Sequence, residues 1–353
     1  MPLTRYANVP EQYARAPNGT LSAKSTAPVQ VALEGDTADL REPPIAPRKE
    51  PPHGRFAPTP SGPLHAGSLV AAVASYLDAR HIGGRWTVRI EDIDPPRSPA
   101  GADTTILAQL EAFGLHWDGE VSYQSRHGEA YGEALARLIE QGLAYPCSCS
   151  RKQWRDYAVY PGWCRNGARH PDAPKAWRLR SDLATRPVAW NDRVYGAQSF
   201  DPEALGDVIL KRKDGLWAYQ LAVVVDDAAQ GVTEVVRGAD LLDNTPWQLQ
   251  LQSALNLPSP GYLHLPLVMG DDGQKLSKQN LAAALPGEPP AIRRLLHETL
   301  VALGQPADPH RAASPVDEQL ADATRHWDTS RIPVGELRLD AQAYLDTGER
   351  NRR

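Results

Sequence analysis

Arg55-Phe56-Ala57-Pro58-Thr59-Pro60-Ser61-Gly62-Pro63-Leu64-His65-Ala66-Gly67-Ser68 runs straight into Leu69-Val70-Ala71-Ala72-Val73-Ala74-Ser75-Tyr76-Leu77. Arg55-Phe56 is strand-like. The three prolines and the glycine that follow forbid helix. The apolar segment after them predicts one, with Ser68 as its N-cap. A strand, a tight turn and a helix N-terminus make an anion site, because the unpaired N–H groups of the first turn point outward. Gly67 has no side chain and lets a flat ring approach the backbone. His65 can donate to a phosphate oxygen. Taken alone, His65-Ala66-Gly67 is a proline-rich loop feeding a buried helix; two later segments change that reading.

The first is Arg89-Ile90-Glu91-Asp92-Ile93-Asp94, at the end of a strand begun at Trp86. The second is Lys275-Leu276-Ser277-Lys278-Gln279, two lysines around a serine on a polar loop. Between them strand and helix signals alternate, the pattern of a parallel α/β sheet whose ligands bind beyond the carboxyl ends of its strands. Helices are expected from about 68 to 82, 101 to 113, 126 to 141, 245 to 255 and 290 to 303. Strands are expected at 177–180, 208–212, 232–238 and 262–269. The near-continuous apolar run from Trp217 to Asp227 suits a strand or a helix buried on both sides.

The chain has 353 residues, 41% hydrophobic and 23% charged, with a net charge of -5. These values fit a globular protein of two or three domains. Any nucleic-acid contact must then be a local basic patch. No apolar run reaches membrane-spanning length and the N-terminus lacks a signal peptide's apolar core, so a cytoplasmic location is expected. Residues 1–53 hold 9 of the 32 prolines in the chain and show no apolar period. They are expected to be a disordered or loosely packed extension.

All three cysteines fall between Cys147 and Cys164. Thiolates two residues apart, Cys147 and Cys149, can share one tetrahedral ion, with Cys164 as a third ligand. By chemistry alone His170 could complete the set.

Together, His65-Ala66-Gly67-Ser68, Glu91 and Lys275 to Gln279 resemble the signature of the class I aminoacyl-tRNA synthetases, and more narrowly their glutamyl branch. Ala222-Val223-Val224-Val225-Asp226-Asp227, Gln230-Gly231-Val232-Thr233 and Val236-Arg237-Gly238-Ala239-Asp240 are similar to its truncated glutamyl-queuosine tRNA(Asp) synthetase group. The resemblance spans roughly residues 54 to 305. Thr59 departs from it, standing where serine is usual, and Gln279 replaces the final serine of the lysine motif.

The resemblance implies a Rossmann-like parallel sheet at 54–142 and 206–285, the latter carrying the lysine loop. It also implies a zinc-containing, acceptor-arm-like insertion at 143–205 and a helical C-terminal part at 286–353. The 75 residues after Lys278 are too few for an anticodon-binding region, so none is expected. For the metal, the resemblance implies one structural zinc ion with Tyr160 as fourth ligand beside Cys147, Cys149 and Cys164.

It also implies ATP, with magnesium, bound at Ala57, Pro58, His65, Gly67, Ser68, Lys275, Ser277 and Lys278, with His65 and the two lysines catalytic. Glutamate would sit on Arg55, Thr59, Glu91, Tyr219 and Arg237. Charge supports that set, since two carboxylates need cations and one ammonium needs an anion. The implied reaction activates L-glutamate without tRNA. It then esterifies the cyclopentene diol of queuosine on the anticodon stem-loop of tRNA(Asp), by an enzyme expected to act as a monomer.

Overall fold

The computed structural model describes residues 51–183, 188–269 and 284–339. In chain order the elements are β1 (His53–Phe56), α1 (Ala66–His81), β2 (Arg85–Ile90), α2 (Ala102–Ala112), β3 (Ser122–Tyr123), α3 (Gly128–Glu140), β4 (Ala144–Cys147) and β5 (Ala176–Leu179). There follow β6 (Val188–Asp192), β7 (Gly196–Phe200), the single turn α4 (Pro202–Leu205), β8 (Ile209–Lys211), α5 (Tyr219–Ala229), β9 (Glu234–Gly238) and α6 (Thr245–Leu255). The last are β10 (Gly261–Leu265), β11 (Leu267–Met269), α7 (Pro289–Ala302), α8 (Val316–His326) and β12 (Glu336–Arg338).

Among the described residues a seven-stranded sheet has the order β3-β2-β1-β9-β10-β6-β7. Every neighbouring pair is parallel except the hairpin β6–β7. From β1 the chain winds outward through β2 to β3; from β9 it winds the other way through β10. The order therefore reverses between β1 and β9, and in such sheets the crevice beyond the strand ends at that reversal is where ligands bind.

Helix α1 covers one face of the sheet and is itself covered by α7 and α8, so it is buried on both sides. That explains its almost uniformly apolar sequence. It lies close enough to β1 that a Cβ on Gly54 would meet the Ala79 Cβ at 3.1 Å. Asp78 of α1 ties distant parts together: it accepts two bonds from Arg193 at 2.6 and 2.7 Å and one from Trp327 Nε1 at 3.0 Å. Helices α3, α5 and α6 pack against one another around a second apolar cluster.

Several expectations need correction. Helix α1 starts at Ala66, not after Ser68; its N-cap is His65, whose ring Nδ1 accepts from Ser68 N at 3.3 Å. An imidazole nitrogen supplies the acceptor that a Ser or Asp oxygen usually gives. The run at 217–227, whose sequence suits a strand or a helix, is helix from Tyr219 onward: α5 buries leucine and valine on most of its surface, and this tertiary burial overrides the strand preference of its valines. The expected strand at 262–269 is two strands, because Pro266 has no N–H to continue the ladder; β10 stays in the central sheet while β11 pairs with β12.

The insertion forms its own antiparallel sheet, β4-β5-β8. The β6–β7 hairpin, expected within the insertion, is instead bonded to the edge of the central sheet, whereas β8 lies in the insertion's sheet. No helix among the described residues is long and apolar enough to cross a membrane.

Candidate active site

Arg55, Glu91 and Arg237 stand at the carboxyl ends of β1, β2 and β9, around the reversal of strand order. The loop after β1 is tied to β2 where Glu91 N donates to Pro58 O at 3.0 Å. Ala57 is half-buried, Pro58 buried and Thr59 exposed. His65, Gly67 and Ser68 open α1 and are partly accessible. The His65 ring engages Ser68 twice, through the cap bond and an Nε2 to Oγ contact of 3.1 Å. Just beyond the lysine loop in sequence, Ala284 bridges to His65, and Leu285 N donates to Leu64 O at 3.0 Å. The predicted residues Lys275, Ser277 and Lys278 lie outside the described residues.

Beneath this crevice is a buried charge cluster. Arg55 pairs with Asp227 by two bonds, Nε to Oδ1 at 3.0 Å and Nη2 to Oδ2 at 3.2 Å. Arg89, fully buried, reaches Asp227 at 2.7 Å, Glu91 at 3.4 Å and Asp226 at 3.9 Å. Asp226 also accepts from Gln124, His127 and Tyr131 at 2.8, 2.7 and 2.6 Å. Two guanidinium groups thus face three carboxylates, one anion in excess. Burial, with Asp227 nearby, pushes the Glu91 carboxyl up to about 7 even though Arg89 and Arg55 pull it down. Glu91 is the carboxylate least compensated by the protein.

Arg237 is the opposite case. It is buried, and no carboxylate among the described residues forms an ion pair with it. Its partners are His264 Nε2 at 3.0 Å, Gln248 Oε1 at 2.8 Å, Thr245 Oγ1 at 2.9 Å, Tyr219 Oη at 3.3 Å and Leu241 O at 3.4 Å. A buried cation held only by neutral acceptors is matched to an incoming anion.

The structure therefore brings together Arg55, Glu91, Tyr219 and Arg237, with Thr59 on the rim loop. Sequence reasoning gave no role to Arg89, Asp226, Asp227, His264 or Asp192. The adjacent carboxylates of Asp226 and Asp227 closing an apolar run were the available signal, since buried charges need partners.

A cleft of about 840 Å³ opens beside Tyr219, between Asn244 and Trp247 on one wall and Arg151, Trp154 and Lys213 of the insertion on the other. Behind the insertion wall, the Sγ atoms of Cys147, Cys149 and Cys164 lie within 4.8 Å of one another, all buried. Tyr160 Oη is 3.6 Å from Cys149 Sγ and accepts from Cys164 N at 3.0 Å. Burial raises the Cys164 thiol, but bonds from the Tyr160 hydroxyl and the Arg169 and Ser148 backbone outweigh it and bring it down to about 6. Cys149 is pushed up to about 11, mainly by burial. A buried three-thiol group with a phenol at its edge fits a thiophilic metal ion. His170 lies outside this group; its Nε2 contacts the Gln153 amide at 3.2 Å.

The family of class I tRNA synthetases (E and Q), catalytic domain, matches residues 53–159 and 164–287. A glutamate tRNA ligase from Elizabethkingia meningosepticum, solved in complex with its amino acid, superposes with a TM-score of 0.71 at 25% identity, covering 83% of this chain and 68% of that one. The glutamyl-Q tRNA(Asp) synthetase of Pseudomonas syringae pv. syringae is 51% identical over 81% of this chain and 98% of its own length. That of Thiobacillus denitrificans is 51% identical over 80% and 95%. The chain belongs to the class I tRNA synthetases of the E and Q type, and within them to the glutamyl-Q tRNA(Asp) synthetases. It is an aminoacyl-tRNA synthetase-type ligase.

Proposed function

We propose that this protein activates L-glutamate with ATP and transfers it to the cyclopentene diol of queuosine at the wobble position of tRNA(Asp). The observation that carries the amino-acid assignment is the charge pattern at the sheet's reversal: a buried guanidinium without a carboxylate, Arg237, near a buried carboxylate in excess, Glu91. An α-amino acid with an acidic side chain supplies what each lacks. Its ammonium goes to Glu91 and its carboxylates go to Arg237 and toward Arg55, with Tyr219 donating from its hydroxyl.

Activation joins the substrate α-carboxylate to the α-phosphorus of ATP and releases pyrophosphate. The queuosine hydroxyl then displaces AMP from the glutamyl-adenylate. No protein nucleophile is needed; the work is positioning and neutralisation. The first turn of α1, with Gly67 and Ser68, faces the nucleotide, His65 donates to its phosphates, and Lys275, Ser277 and Lys278 meet the leaving pyrophosphate. Magnesium accompanies ATP. The cleft beside Tyr219 suits an RNA loop, because Trp247 offers a partly accessible ring and Arg151 and Lys213 are exposed cations for phosphate contacts. Cys147, Cys149, Cys164 and Tyr160 would hold one zinc ion, whose chemistry there is structural: it fixes the insertion wall of that cleft.

The test is transfer of labelled glutamate onto bulk tRNA from queuosine-proficient and queuosine-deficient cells. Label only on the queuosine-containing tRNA supports the proposal. Equal label on both means acceptor-end charging, and no label on either removes the RNA substrate.

A further inference from the structure

Arg237 is supported on one side by a chain that ends in a carboxylate. A guanidinium only donates hydrogen bonds, so the His264 Nε2 that lies 3.0 Å from Arg237 Nε must be the acceptor, without a proton. The ring proton then sits on Nδ1 and is donated to Asp192 Oδ2 at 2.5 Å. The other Asp192 oxygen accepts from Val194 N and Tyr195 N, each at 3.0 Å, and from His264 N at 3.3 Å. Asp192 is thereby fixed in the turn of the β6–β7 hairpin. Both His264 and Asp192 side chains are fully buried.

On the other side Arg237 Nη1 donates to Gln248 Oε1, and Gln248 Nε2 donates to Gln220 Oε1 at 2.9 Å. Gln220 Nε2 continues to Asn244 on the wall of the cleft.

We propose that Asp192 and His264 are positioning residues for substrate recognition: they place a negative charge one neutral imidazole away from Arg237 and orient its guanidinium toward the amino-acid carboxylate. A carboxylate paired directly with Arg237 would occupy the fork that the substrate needs. A neutral histidine alone would leave a buried cation without compensation. The relay compensates the charge while every acceptor on Arg237 stays neutral. The two longest contacts, Tyr219 Oη at 3.3 Å and Leu241 O at 3.4 Å, are the ones a substrate carboxylate can displace, as a carboxylate behind a histidine leaves the working side free at metal and catalytic sites. The inference rests on the reading that Arg237 binds a carboxylate of glutamate.

Two substitutions divide the relay. His264→Asn keeps a donor near the Nδ1 position for Asp192 and removes the acceptor for Arg237. His264→Gln keeps an acceptor near the Nε2 position and leaves Asp192 Oδ2 without its donor. Glutamate-dependent ATP–pyrophosphate exchange is measured without RNA, with KM for glutamate and for ATP, beside urea melts of each full-length variant.

The expected orders are opposite. His264→Gln is the less stable variant, because an unpaired buried carboxylate is the costlier loss. His264→Asn has the higher glutamate KM, raised by about tenfold for loss of a charge-assisted bond, with KM for ATP unchanged. Asp192→Asn turns a donor toward Nδ1 and forces the ring proton onto Nε2 against Arg237, so it also raises glutamate KM.

If both properties worsen in the same order, or glutamate KM is unchanged in all three variants, the pair is only structural and the inference is overturned. If the unmodified protein shows no glutamate-dependent exchange, the reading of Arg237 falls first and the relay falls with it.

Discussion

Arg55 and Asp227, 172 residues apart in sequence, close a two-bond ion pair between β1 and α5, and Arg89 meets the same carboxylate from β2 at 2.7 Å. One carboxylate thus neutralises two buried guanidinium groups on adjacent strands. Asp227→Ala leaves both without their main partner and should destabilise the fold by about 3–5 kcal/mol. Urea unfolding followed by circular dichroism measures this directly. A loss under 1 kcal/mol (on the order of an exposed pair) would mean that the cluster does not depend on Asp227.

Glu91 should make amino-acid binding depend on pH near neutrality. Its carboxyl lies at about 7 in the fold, and only the ionised form attracts an ammonium. KM for glutamate in the exchange reaction should therefore rise as pH falls through 7, while kcat per folded molecule changes less. A flat KM between pH 6 and 8 would contradict the assigned role.

The same residue has the opposite effect on stability. Its folded value of about 7 is above the ordinary 4.5. The native state therefore holds the extra proton between those values, and the stability this gives is complete below the lower value and lost as pH rises through the upper one. Glu91→Gln should be more stable than the unmodified chain at pH 8 and inactive in glutamate activation. Equal thermal midpoints at pH 8 would show that Arg89 and Arg55 already compensate Glu91 fully.

Tyr219 Oη accepts from Arg237 Nη1 at 3.3 Å, which leaves its own proton for the substrate. Tyr219→Phe should raise glutamate KM by about fivefold, the loss of one bond of roughly 1 kcal/mol. KM for ATP should not move. A change in the ATP parameter alone would place the hydroxyl elsewhere in the reaction.

The thiol group can be read optically. Tyr160 packs edge-on against Trp154 and Trp163, with ring centroids 5.7 and 6.3 Å apart. Removing a metal ion from Cys147, Cys149 and Cys164 should change tryptophan emission and lower the thermal midpoint, and Cys149→Ser should bind less zinc by elemental analysis. Purified protein without metal, whose emission ignores both chelator and added zinc, would leave three reduced thiols.

Part of the candidate site has chemistry that is local in sequence: the thiols announce themselves by spacing, whereas His65-Ala66-Gly67 gains its reading only beside Glu91 and the lysine segment. Arg237 was legible only by resemblance, since an arginine ending a strand is ordinarily a surface residue. The charge partners were not legible. Asp227 meets Arg55 and Arg89 only because the fold brings the C-terminal part of α5 within ion-pair reach of β1 and β2, and no spacing rule links them. His264 and Asp192 were hidden for the same reason: they meet only where β10 pairs with β6, and no strand was expected at 188–192. Ser68 was misplaced as the cap because a histidine ring took over a task that usually falls to a hydroxyl.

The reversal of strand order between β1 and β9 also has a consequence for synthesis of the chain. His53 N bonds to Thr233 Oγ1 across 180 residues at 2.9 Å, beside the Gly54–Glu234 ladder pair. The two strands that carry Arg55 and Arg237 are thus joined only after everything between them has been made and folded out of the way. Closing so long a loop is slow relative to the local helices. A ribosome-bound chain that stops before β9 holds the loop proposed to face the nucleotide and the thiols but lacks Arg237 of the proposed amino-acid pocket, so on that proposal recognition of glutamate is a late event in the maturation of this protein.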